Sequence, residues 1–296
     1  MRRTAIAAAL FWGISAAFAA GCGGDSDGSA TSDPAGDENG QGSSAADSLP
    51  DSTDAPDTTG NGEPPEIIRT CEKNVTLVVN EFGVVNNMHG EYRLVPGDSY
   101  VQCMEIKNGS FPITWTWDVR TDQPFVKGFP QIFFGINPWT RIPTTDRLPA
   151  RVGDLAALEV RHVVGLRADG LYNLAFDMWL TVDETPTQHE RTHEVMVWLA
   201  GNIPMGEGKL GETKVGEETW EFYRKEMEGA PPLLIFVPRV PRTTGTTDLL
   251  FFLRKLIEDG HITEDVYVSI IELGTEMWHG SGVAAVGDFS VSIELK

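Results

Sequence analysis

From Ile67 to Lys296 the chain alternates apolar and polar residues with a period of two, and turn signals separate the runs. No other feature narrows the fold as much. Successive side chains of a strand point to opposite faces, so each run has one face to bury against a second layer. Ile113, Trp115, Trp117 and Val119 share one face of a strand, with Thr114, Thr116 and Asp118 on the other. Phe289, Val291, Ile293 and Leu295 alternate with Ser290, Ser292 and Glu294 in the last strand. Breakers such as Asn86-Asn87 and Gly280-Ser281-Gly282 punctuate the pattern. Helical spacing shows in one segment: Thr247 or Asp248 can cap it, Leu249, Leu253, Leu256 and Ile257 recur along it, and Gly260 stops it. Residues 67–296 therefore predict a single all-β domain, two packed antiparallel sheets with one α-helix. Eight Trp with 31 Gly and 18 Pro fit many turns and an aromatic-lined cleft.

The N-terminal part reads as export and tethering. Arg2-Arg3 precedes an apolar run, Ala5 to Ala20, too short to stop in a bilayer. It ends in Ala19-Ala20-Gly21-Cys22, which resembles a bacterial lipobox. Residues 1–21 are therefore expected to be a lipoprotein signal peptide and Cys22 the lipidated residue, holding the protein to a membrane outside the cytoplasm. The alternative is an ordinary signal peptide cut near Ala20. Residues 22–66 are written in Gly, Ser, Asp, Thr and Pro, and carry eleven acids and no Lys or Arg. Such a segment predicts a disordered, self-repelling linker. The formal charge of −20, from 43 acids against 23 bases, argues against nucleic acid as a partner. Three Cys exclude a disulfide-dense scaffold, and in an oxidising compartment Cys71 and Cys103 are expected to pair.

Three strands place a carboxylate beside a Trp on the face away from the aliphatic residues. Glu194, Met196 and Trp198 share one face of residues 192–199, opposite Val195, Val197 and Leu199. Ala175, Asp177 and Trp179 lie opposite Phe176, Met178 and Leu180. Glu276 and Trp278 share a third such face. One such strand suits a solvated sheet face; three suggest a sugar-binding face with paired carboxylates.

Several motifs, in order, resemble glycoside hydrolase family 12: Asn86-Asn87-Met88-His89-Gly90, Trp115-Thr116-Trp117, Lys127-Gly128-Phe129-Pro130-Gln131 and Gly135-Ile136-Asn137-Pro138-Trp139. The Asp177 strand, the Glu194-Val195-Met196-Val197-Trp198 strand and Gly274-Thr275-Glu276 complete the set. The resemblance implies a β-jelly roll of two curved sheets and retaining, endo-acting hydrolysis of β-1,4-linked glucan; the alternative is a non-catalytic glucan-binding sandwich at the cell surface, against which the presence of both Glu194 and Glu276 argues. The resemblance also implies Glu194 as nucleophile, Glu276 as acid/base and Asp177 as the acid that orients the nucleophile. Asn87, His89, Trp117, Trp139, Met196 and Trp198 would bind the glucan, and Cys71 and Cys103 sit where the family has a disulfide. His89 stands where the family usually has Trp, and Asn74 where it often has Trp; both are sugar-stacking positions. No cofactor or metal is expected, and a monomer is. His189-Glu190-Arg191-Thr192-His193 has the zincin spacing. It runs into a strand, where its two His would stand about 13 Å apart, too far to share zinc.

Overall fold

A computed structural model describes residues 66–296 apart from residue 108. The leader, Cys22 and almost all of the linker lie outside the described residues. The chain is a two-sheet β-sandwich with one α-helix, as the alternation predicts. One sheet holds β1 (Ile67–Thr70), β4 (Ser99–Lys107), β5 (Ser110–Arg120), β8 (Leu155–Ala168) and β14 (Thr244–Asp248). The other runs in the order β2 (Thr76–Val79), β3 (Phe82–Val85), β6 (Gln131–Gly135), then β9 (Leu171–Thr181), β10 (Arg191–Gly201), β13 (Leu233–Pro238), β12 (Glu218–Lys225) and β11 (Lys209–Val215). The short β7 (Ala150–Arg151) pairs with β15 (Tyr267–Leu295), which belongs to both sheets. The first part of β15 lies between β6 and β9 and the later part between β5 and β8. One pair departs from the antiparallel expectation: β13 inserts between β12 and β10 and runs parallel to β10.

The core lies between the sheets. Ile113, Trp115, Trp117 and Val119 of β5 are buried there with Phe176, Met178 and Leu180 of β9 and Val195, Val197 and Leu199 of β10. Each such side chain contributes about 1.5–3 kcal/mol by leaving water. Of the two candidate caps, Asp248 is the one used: its carboxylate accepts from the Phe251 amide at 2.9 Å and opens α1 (Leu249–Glu258). Phe252 of α1 then packs on Trp220 and Phe236, with ring centroids 5.0 and 4.8 Å apart.

Cys71 and Cys103 are joined, tying the segment after β1 to β4 across 32 residues of sequence. A loop of this length is worth about 3–4 kcal/mol in the chain-entropy model. The Cys71→Ser, Cys103→Ser double variant is accordingly expected to unfold at a clearly lower temperature in calorimetry. An unchanged midpoint would show that the bond contributes nothing.

Candidate active site

The acids lie on the face of the second sheet turned away from the core. Strand register sets their order: Glu194 of β10 stands opposite Trp179 of β9, and Met196 opposite Asp177. On the other flank of β9, Glu272 of β15 stands opposite Asp177 and Glu276 opposite Asn173. The strands carrying Glu194 and Glu276 thus flank the strand carrying Asp177. A flat outer face would leave such side chains in water, yet Asp177 and Glu272 are only 5% and 2% exposed. The face is recessed, and its floor is apolar on both sides of the acids. Ala175, Met196, Trp198, Ile203, Tyr223 and Ile235 cluster on one side, and Val85, Phe133, Trp179 and Ile270 on the other.

Gly274-Thr275-Glu276 is legible as physical chemistry. A Cβ on Gly274 would lie 2.7 Å from the Phe129 ring, so glycine lets that ring lie against β15. Thr275 points into the core and accepts from the Trp115 indole N–H at 3.1 Å. Glu276 returns to the acid face. There the Asn173 amide donates to its carboxylate, and Asn173 Oδ1 accepts the Glu276 backbone N–H at 3.1 Å.

Burial raises the proton affinity of all four acids, because the charged form loses its hydration. Glu276 is pushed up to about 7 by burial, with Asn173 and Lys225 pulling the other way. Asp177 is pushed well up, by burial first and then by repulsion from Glu194, Glu272 and Glu276. Glu194 is also pushed up by burial and by Glu276, while Arg191 and a hydrogen bond with Asp177 favour its charged form. Glu272 follows the same direction, from burial and Glu194, against a hydrogen bond from Trp179. These directions favour a protonated Asp177 facing an ionised Glu194.

A family model for glycosyl hydrolase family 12 matches residues 80–294. The chain belongs to that family. This family-12 protein is a glycoside hydrolase of the cellulase-like, endoglucanase type. Endoglucanase S of Pectobacterium parmentieri is 22% identical over 223 residues, which are 73% of this chain and 83% of that protein. Xyloglucan-specific endo-beta-1,4-glucanase A of Emericella nidulans is 24% identical over 234 residues, 75% of this chain and 90% of that protein. Among solved structures, the family 12 xyloglucanase from Bacillus licheniformis superposes with a TM-score of 0.71 at 19% identity, covering 77% of this chain and all of that one. At that identity the likeness is one of fold.

In this family-12 hydrolase most of the expected sugar-contacting residues fall around the acids. Met196 and Trp198 floor one side. Asn87 follows β3 and its amide lies 3.5 Å from Gln131 Oε1, while Gln131 donates to Glu272. Trp139 lies beyond β6, 37% exposed, its ring edge-on to Trp179 at 4.9 Å. His89 is exposed in the turn after Asn87. Desolvation by the nearby protein, with Lys73 and Arg93 close, pushes its imidazole down to about 4.

Trp117 is a correction. It faces the core, not the sugar face, is 3% exposed, and lies over Gly282, where a Cβ would meet its ring at 2.2 Å. Its β5 neighbours Trp115 and Val119 share that orientation, so the tryptophan fills volume between the sheets. His193 is in β10 but His189 lies in the turn before it, so the motif is not helical, as expected, and only its second half is strand. Glu272, Asn173 and Gln131 were not singled out by sequence. Counting in twos back from Glu276 reaches Glu272, a signal hidden inside the apolar run Ile270-Ile271-Glu272-Leu273.

Proposed function

We propose that this hydrolase cleaves β-1,4-linked glucan chains internally with retention of configuration, using Glu194 as nucleophile and Glu276 as acid/base. The observation that carries this is the placement of two half-buried carboxyls on strands flanking Asp177, which hydrogen-bonds to one of them. In the first step the Glu194 carboxylate attacks the anomeric carbon as Glu276 gives its proton to the departing glycosidic oxygen. In the second, Glu276 takes a proton from water, which attacks the same carbon and frees Glu194. A Glu276 held up to about 7 keeps its proton through mildly acidic pH and begins to lose it only near neutrality, as the first step needs. Asp177, kept protonated, donates to Glu194 and fixes its orientation; Asn173 does the same for Glu276. Several relatives are named xyloglucan-specific, which supports xyloglucan among the substrates. Reducing-sugar release from xyloglucan, mixed-linkage β-glucan and carboxymethylcellulose tests the reading. Release from none of them would overturn it. The lipobox-like end of the leader supports attachment at Cys22, with residues 22–66 as the tether outside the cytoplasm.

His89 belongs to this reading as a remote sugar contact. An indole offers a wider stacking face than an imidazole, and aromatic platforms under planar rings are worth about 1–3 kcal/mol. His89→Trp is expected to lower KM on long glucans at least about twofold with kcat little changed, since a remote contact adds mostly uniform binding. With its imidazole pushed down to about 4, His89 stays neutral from pH 5 to 8, and its contribution does not vary with pH there. Unchanged KM in both His89→Trp and His89→Ala would remove it from the binding face.

A further inference from the structure

Arg191 has no place in the scheme above, yet the strand is distorted to present it. Between β9 and β10 the register pairs Arg191 with Thr181 and His193 with Leu180, leaving Thr192 as an extra residue. Such a bulge re-aims the side chains on one side of it. Counting in twos from Glu194 would put Thr192 on the acid face and turn Arg191 toward the core. The bulge instead brings Arg191 to the same face as Trp179 and Glu194. There its guanidinium carbon lies 4.6 Å from the Trp139 ring centroid and 4.6 Å from that of Trp179. Its Nε donates to the Gln188 carbonyl at 2.8 Å. Among the described residues no carboxylate comes within ion-pair distance of it.

We propose that Arg191 is a positioning residue for the reaction: a guanidinium held in the corner where the Trp139 and Trp179 rings meet, which keeps Glu194 ready to attack without binding its oxygens. The inference rests on the reading of Glu194 as nucleophile. A direct ion pair would occupy the oxygens that must reach the anomeric carbon; a charge held nearby favours the carboxylate and leaves them free. Arg191 acts electrostatically on both Glu194 and Asp177. The other charges at the site are Asp177 from β9, Glu272 and Glu276 from β15, and Lys225 from β12, which acts on Glu276. Arg191 is thus the cation that acts on Glu194, and Trp139 and Trp179 tie its position to the aromatic wall of the site.

The test is the pH profile of kcat/KM on soluble xyloglucan for the full chain and for Arg191→Gln, Arg191→Lys and Trp139→Ala. Attack requires ionised Glu194, so the acid limb marks its deprotonation. Losing a neighbouring positive charge raises the pH at which that limb falls. The limb of Arg191→Gln is expected to move up by at least about half a pH unit, and Arg191→Lys to restore it. Trp139→Ala, which removes one of the two rings that hold Arg191 at a partly exposed site, is expected to move it the same way by less. An Arg191→Gln limb that stays in place while activity drops equally at every pH would reduce Arg191 to a packing role. So would a Trp139→Ala limb that stays in place, should Arg191→Gln fail to fold. Glu194→Gln separates the two readings. If it is inactive while the Arg191→Gln limb is unmoved, only the role of Arg191 falls; if it still turns over, the nucleophile assignment falls too.

Discussion

Glu194→Gln and Glu276→Gln are each expected to lower kcat on β-glucan about 10³-fold or more, because each removes an indispensable electron-pair or proton role. Neither should weaken the fold. Both carboxyls are half-buried and pushed up by desolvation, Glu194 also by repulsion from Glu276, so an amide of the same shape relieves those costs and the unfolding midpoint should hold or rise. The two variants should differ on an aryl glycoside whose phenolate leaves without a proton. Such a substrate bypasses the acid role of Glu276 in the first step, but nothing bypasses attack by Glu194. A Glu194→Gln enzyme retaining more than a few per cent of wild-type kcat would remove Glu194 from the chemistry.

Asp177→Asn is expected to lower kcat about 10²-fold, less than loss of Glu194, with KM little changed. The acid contacts Glu194 and opposes Glu272 and Met196 across its two neighbouring strands. An amide can still donate to Glu194, which keeps the nucleophile oriented. It cannot release or recover a proton as the charge on Glu194 is consumed and regenerated. Steady-state kinetics separates the alternatives: unchanged kcat with a raised KM would make Asp177 a substrate contact only.

Much of this arrangement was legible in the residue order, because a strand has only two faces. Once Val195, Val197 and Leu199 are assigned to the core, Glu194, Met196 and Trp198 have one place left to go. The same rule places Trp117 in the core with Ile113, Trp115 and Val119. Resemblance in the Trp115-Thr116-Trp117 motif suggested a sugar contact there, and the alternation was the better guide. What stayed hidden depends on contacts between distant segments. That Asn173 stands opposite Glu276 is a matter of strand register across more than a hundred residues of sequence. The bulge at Thr192 shows no local mark, since Arg191-Thr192-His193 offers neither glycine nor proline. The downward push on His89 comes from desolvation by surrounding protein and from Lys73, which only the fold brings near; Arg93, which adds to it, is already close in sequence.

The most direct test of the account is to trap its intermediate. A 2-deoxy-2-fluoro cello-oligosaccharyl fluoride slows both steps of a retaining mechanism, and its good leaving group favours the first, so the glycosyl-enzyme ester accumulates. Peptide mass mapping of the treated full chain is expected to find one added glycosyl group, on Glu194. The same label on Glu272 or any other residue would contradict the assignment. So would the absence of an adduct together with an α-anomer as the first product released from natural glucan.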